Sequence, residues 1–259
     1  LYRVRRVIKC DKCKMILKPI LTPVMNPSVL SHFETLETAF GDGLEAMLGR
    51  HDGLGVHILA LANAAYEPGL WARLAGRLRD RHEQLSLRLV AALRAGGRIV
   101  EPDDDVMVFL KLMALGFDGL GLPEARDAGA WRVMFNPLRA LRPPRASGAA
   151  FAGLAQPFNT AGFHFNKPFL AKEILWQGEL AGQAVRLLYN KFPFARFHGL
   201  LVPEPERELP QSLTRDQHER AWAVCAGSGV PGLCLGYNSL GAGASVNHLH
   251  FQSFVADGG

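Results

Sequence analysis

The sequence predicts an α+β protein. A mainly α-helical N-terminal region occupies residues 1–125, and an antiparallel sheet with helices occupies residues 126–259. Three observations carry this reading. Apolar residues recur every three to four positions between residues 28 and 115. A glycine-rich connection follows at residues 116–130, and beyond it the apolar runs become short and are bounded by turn residues. Hairpins with one late helix build an α+β layer rather than a parallel sheet.

The chain has 259 residues, of which 48% are hydrophobic and 20% charged, so it can bury a real core and is not of disordered composition. Net charge is +5, with the arginines scattered, which argues against a nucleic-acid partner. No run reaches the apolar length of a membrane span, and no secretory signal is evident, so a cytoplasmic, membrane-independent protein is expected. Four cysteines are too few and too dispersed for a disulfide framework. The chain opens on Leu1 rather than Met and stops soon after its most informative motif, as a fragment or processed product would.

The first 18 residues form a basic arm holding Cys10 and Cys13. A single Cys-x-x-Cys lacks the two further ligands a structural zinc site needs, so no cofactor is expected, with zinc at this pair as the minority alternative. From Ser28 the spacing of Leu30, Phe33, Leu36, Phe40, Leu44, Met47 and Leu48 predicts a helix. Residues 56–65 predict a second, buried one. Pro68 opens the longest helix at a position where its missing N–H costs nothing, with a stripe of Trp71, Leu74, Leu78, Leu85, Leu89 and Leu93, and Gly96-Gly97 closes it. Asp103, Asp104 and Asp105 cap and charge the start of a helix over residues 106–115. His51, His57 and His82 show no mutual spacing and are read as structural or surface residues.

After the connection, Trp131–Phe135 predicts a strand stopped by Asn136-Pro137. Arg139, Arg142 and Arg145 fall in a proline-containing loop, read as a solvated basic segment with phosphate contact as the alternative. Residues 173–177 and 184–189 predict a hairpin turning around Gly178, residues 199–202 a third strand, and Thr214 the start of a helix through Val224. Residues 233–237 and 248–255 complete the sheet.

The last of these strands carries the chemistry. Its alternation places His248, His250 and Gln252 on one face, roughly 6.5–7 Å apart, and Leu249, Phe251 and Ser253 on the other. Before it, Gly241, Ala242, Gly243, Ala244 and Ser245 form a small-residue loop that allows backbone N–H groups close to an anion. A phosphate cradle beside paired imidazoles points to phosphorus chemistry. Metal binding by the His-x-His pair normally adds a nearby carboxylate, and none follows before Asp257.

The string His248-Leu249-His250-Phe251-Gln252 resembles the His-x-His-x-Gln signature of the transferase branch of the histidine-triad superfamily. That branch includes galactose-1-phosphate uridylyltransferase and diadenosine tetraphosphate phosphorylase. With Gly236-Tyr237-Asn238-Ser239-Leu240-Gly241-Ala242 before it, the pattern is most similar to GDP-L-galactose (GDP-hexose) phosphorylases. Looser similarity runs through Tyr189-Asn190-Lys191-Phe192-Pro193 and His198-Gly199-Leu200-Leu201-Val202-Pro203, and extends to Phe163-His164-Phe165-Asn166-Lys167.

The resemblance implies a histidine-triad-like sheet and nucleotidyl transfer or phosphorolysis on a nucleoside-diphosphate sugar, through a nucleotidyl-histidine. It gives His250 the nucleophile's role and His248 a supporting one. Gln252, an amide, donates a hydrogen bond but shuttles no proton, which favours transfer over hydrolysis. Asn238, Ser239, Gly241, Gly243 and Ser245 match the nucleotide-facing loop. Asn190 falls near the ribose, and Lys191 beside it is read by default as a solvent-facing lysine, with phosphate contact as the alternative. His198 is read as tying a turn. The expected partners are a nucleotide sugar and inorganic phosphate or a sugar phosphate, with a homodimer possible. The alternative functions are a nucleotide-binding sensor or interaction protein that has lost catalysis, and a metalloprotein using Cys10, Cys13 and His248.

Overall fold

The computed structural model describes residues 28–143 and 155–256. Its helices come first: α1 (Phe33–Arg50), α2 (Leu54–Ala64), α3 (Pro68–Arg94) and α4 (Asp103–Leu115). A hairpin, β1 (Glu124–Ala128) and β2 (Trp131–Phe135), leads to a one-turn helix α5 (Pro137–Ala140). The main sheet is built from β3 (Ile174–Leu180), β4 (Gln183–Tyr189), β5 (Arg196–Pro203), β6 (Leu233–Gly236) and β7 (Phe251–Val255), with α6 (Arg215–Gly227) between β5 and β6. Its order is β3-β4-β5-β7-β6, with every neighbour antiparallel. The fold is α+β, as the sequence predicts.

The helical periodicity is realised through burial. α1 buries Leu36, Phe40, Leu44, Met47 and Leu48, and α2 is buried along almost its whole length. α3 lays Leu74, Leu78, Leu85 and Leu89 on the core together with His82. One face of the sheet, with Val185, Leu187, Tyr189, Phe197, Leu201, Phe251 and Val255, joins these helices in a single buried cluster. Tyr189 ties the layers by donating its hydroxyl to the Phe40 carbonyl at 2.7 Å. Glu67, just ahead of α3, takes a bidentate grip on Arg196 at the start of β5, at 2.5 and 2.9 Å.

Several expectations need correction. The α3 stripe ends at Leu89, because Leu93 is half exposed. The first helix starts at Phe33, not Ser28; Ser28 Oγ instead accepts the Leu30 N–H in a turn. Asp103, Asp104 and Asp105 occupy the first turn of α4 and complement its dipole, but none caps it; the N-cap is Pro102. Asp105 is buried and paired with Lys191 at 2.5 Å. The segment 116–130 is not only a connection, since it contains β1. The β3–β4 hairpin turns at Ala181 and Gly182, both at positive φ, which is the geometry a two-residue hairpin loop demands. Gly178 lies within β3, where a Cβ would come 2.2 Å from the Trp176 ring. Its need for glycine is a close approach, not a turn. The last strand begins at Phe251, so His248 and His250 precede it rather than alternate along it.

Candidate functional site

A cavity of about 610 Å³ opens on the sheet face opposite the helices, a volume typical of small-molecule sites. Leu188, Leu200, Gln252 and Phe254 supply part of its lining from β4, β5 and β7. Phe163, Phe165, Phe169 and Leu170 line it from the segment before β3, and Gly236, Asn238, Ser245 and Val246 from β6 and the loop after it. Asn190, Lys191, Phe192 and Phe194 of the β4–β5 loop also line it, with Arg139 of α5 and Arg142 after it.

His250 lines this cavity just ahead of β7. Its Nδ1 lies 2.7 Å from the carbonyl oxygen of His248. A carbonyl only accepts, so Nδ1 carries the proton and the lone pair is left on Nε2. The buried Gln211 fixes the backbone here. Its Oε1 accepts the His250 N–H at 2.8 Å, and its amide donates to the carbonyls of His250 at 3.1 Å and Asn238 at 2.8 Å.

His248 does not line the cavity and is completely buried. Its Nδ1 accepts the Phe165 N–H at 3.1 Å, and the two rings stack with centroids 5.6 Å apart. Phe165 in turn meets the His250 ring edge-on at 5.0 Å. Burial first, then the neighbouring His164, His250 and Arg186, pushes His248 down to about 4, so the ring is neutral at pH 7. Its contribution is to position: it holds Phe165 in place and offers the carbonyl that sets the His250 tautomer.

Gln252 has its direction fixed in the same way. The His198 Nδ1 accepts the Phe194 N–H at 3.1 Å, so the proton sits on Nε2, which donates to Gln252 Oε1 at 2.6 Å. Asn190 Nδ2 donates to the same oxygen at 3.2 Å, while Asn190 Oδ1 accepts the Phe192 N–H. With its oxygen engaged from behind, Gln252 is left to offer its NH₂ as a donor. Desolvation holds His198 down to about 4, outweighing the bond to Gln252, so this donor is an uncharged imidazole at neutral pH.

The helical half reaches round to this loop. Asn63 of α2 donates to the Asn190 carbonyl at 2.9 Å, and the side chains of Tyr66 and Asn136 both donate to the Pro193 carbonyl. Asn136 also caps α5, with its side chain accepting from the Leu138 and Arg139 N–H groups. That cap sets Arg139 in the cavity wall, where it donates to the Phe192 carbonyl and lies over the Phe194 ring at 5.5 Å. Arg142 lies over Phe192 at 5.8 Å.

Residues 131–254 match the family model described as GDPGP1-like, N-terminal domain. GDP-D-glucose phosphorylase 1 of Danio rerio is 40% identical over 102 residues, which are 38% of this chain and 29% of that protein. The Homo sapiens protein of the same name is 35% identical over 121 residues, 44% of this chain and 30% of that protein. GDP-L-galactose phosphorylase 2 of Arabidopsis thaliana is 42% identical over 65 residues, 25% and 15% of the two chains. Over these segments the chain is similar to the GDP-hexose phosphorylases. It spans less than a third of the length of these curated relatives. No solved structure gives a significant match.

Of the site residues expected from the phosphorylase resemblance, the cavity gathers His250, Gln252, Asn238, Ser245, Asn190 and Lys191. It leaves out His248, Ser239, Gly241 and Gly243. The small-residue loop closes on itself instead of presenting a cradle. Its N–H groups at Ala242, Gly243 and Ala244 donate to carbonyls of Ser239 and Leu240 within the loop. Lys191 is held by Asp105 at 2.5 Å rather than facing solvent. Arg139 and Arg142, read as a solvated segment, stand in the cavity wall, while Arg145, Cys10 and Cys13 lie outside the described residues. Sequence reasoning missed Gln211, which sits in an unpatterned proline-containing segment that offers no local signal. For His198 it saw only the turn tie, which exists, and not the bond to Gln252. Among the described residues no helix is long and apolar enough to cross a membrane.

Proposed function

We propose that this chain carries the nucleotidyl-transfer site of a GDP-hexose phosphorylase, working through a covalent guanylyl-His250. The supporting observation is the 2.7 Å bond that fixes the proton on His250 Nδ1 and so leaves Nε2 the lone pair, in a cavity that also holds Gln252 and two arginines. The named relatives act on GDP-D-glucose and GDP-L-galactose, which supplies the substrate class.

In this reading the Nε2 lone pair attacks the α-phosphorus. The bond from that phosphorus to the bridging oxygen breaks, and hexose 1-phosphate leaves with the electron pair. The leaving group is already a stable anion, so it needs no proton from the enzyme. An oxygen of inorganic phosphate then attacks the same phosphorus, the N–P bond breaks, and the pair returns to Nε2 as GDP forms. The Gln252 amide donates to the phosphoryl oxygen on which charge builds, and Arg139 and Arg142 hold the phosphates. Asn190, Asn238 and Ser245 orient the nucleotide. Cys225 and Cys234 are free thiols, which fits the cytoplasm.

The test is to incubate the protein with GDP-glucose labelled at the α-phosphate and quench with denaturant. An acid-labile label on wild type that is absent from a folded His250→Ala variant is the expected result. Label retained by that variant excludes His250 as nucleophile.

A further inference from the structure

Glu173 ends the short 3-10 turn Pro168–Glu173 and stands at the head of β3. Its side chain lines the cavity beside Phe163, Phe169 and Lys191, yet its carboxylate makes no hydrogen bond or ion pair with any described residue. The nearby Lys191 is committed to Asp105, and Lys172 belongs to the same turn. Burial, the largest influence, raises the Glu173 pKa against the pull of these two lysines. A carboxylate withdrawn from water without donors is costly, and that cost is removed when a ligand brings the donors.

Position narrows the ligand. β3 is one edge of the sheet, and β4 and β5 separate it from β7, where Gln252 lies just past His250. Three strand spacings amount to roughly 14 Å, so a nucleotide with its α-phosphorus at His250 extends its base, not its phosphates, toward Glu173. Phe163 and Phe169, both more than half exposed, offer ring faces for stacking on that side. A carboxylate has only acceptors. Guanine alone among the common bases presents two adjacent donors, N1–H and N2–H, on one edge. Adenine places an acceptor at N1, and uracil flanks its single N–H with two carbonyls. We infer that Glu173 selects guanine, by accepting N1–H and N2–H from the base edge.

This rests on the nucleotide reading of the cavity, and the experiment separates the two. Affinities of GDP, IDP and ADP are measured by calorimetry for wild type and for Glu173→Gln, whose thermal melt checks its fold. IDP lacks only the N2 amino group. Wild type should bind GDP about 10-fold or more tighter than IDP, from one hydrogen bond to a charged acceptor, and ADP more weakly still. In Glu173→Gln the GDP-to-IDP ratio should fall to about one, because the amide opposes a donor to the N2 amino group. GDP binding without that preference, or a ratio unchanged by the substitution, overturns the assignment while leaving the nucleotide site standing. Failure of all three nucleotides to bind wild type overturns both.

Discussion

His198 and Gln252 are joined by a 2.6 Å hydrogen bond between adjacent strands, with the imidazole as donor and the amide oxygen as acceptor. The bond turns an amide, which could face either way, into one whose oxygen is engaged and whose NH₂ is left as a donor in the cavity wall. His198 can serve so because a bulge between Arg196 and Gly199, with Phe197 at positive φ, interrupts the β5 ladder beside it.

Removing that donor should therefore harm catalysis more than binding. His198→Ala is expected to lower kcat for GDP-glucose phosphorolysis about 10–100-fold with KM changed little, since the Gln252 amide acts on charge developing in the transition state. His198→Gln keeps a donor and should recover part of the loss. Steady-state kinetics check both. Equal rises in KM with kcat intact would show that the pair merely supports binding.

Replacing Gln252 with histidine should shift the outcome of the reaction. An imidazole there can assist water, and such acid–base help is typically worth about 10²–10⁴-fold. The expected result is a higher ratio of GMP to GDP formed from GDP-glucose in the presence of phosphate. If the ratio stays constant while both rates fall, Gln252 only orients the phosphate.

Acid should destabilise the protein through its buried histidines. His57, His198 and His248 are held below the ordinary 6.5, at about 3, about 4 and about 4, mainly by desolvation. A depressed imidazole pKa means that the unfolded chain takes up the proton first. The stability is fully present above pH 6.5 and is lost as pH falls from there toward 4 for His198 and His248 and 3 for His57. Each group contributes about 1.4 kcal/mol per pH unit inside its window. Urea unfolding between pH 7 and 5 should show this slope, and His57→Leu should reduce it by about a third.

The joint between α1 and the sheet is equally testable. A Cβ at Gly43 would lie 2.1 Å from the Tyr189 hydroxyl, which is bonded to the Phe40 carbonyl. Gly43→Ala should cost about 1–3 kcal/mol despite its better helix propensity, because the core must shift to admit the methyl. Urea denaturation measures it. A stabilised variant would mean that Tyr189 moves aside without penalty.

The sequence by itself determined α1 to α4 and α6, most of the strands and the string that holds the candidate reactive side chains. Each rests on a local cause: apolar spacing in α1 to α4, Pro68 at a helix start, Thr214 capping α6, and the His248-to-Gln252 string. The turn at Ala181 and Gly182 escaped because Gly178 is the more conspicuous turn residue, and only the Trp176 ring lying against it explains that glycine. The tertiary structure decided what each polar residue does. It put His248 behind the cavity and His250 in it, where strand alternation had put both on one face. It tied Arg139 to the Phe192 carbonyl in the cavity wall, gave Lys191 to Asp105, and set Gln211 on the His250 backbone. These contacts join residues some 40 to 90 positions apart, or depend on where a strand begins. No local pattern encodes them, because a hydrogen bond or ion pair between distant segments forms only after packing has brought both partners out of water together.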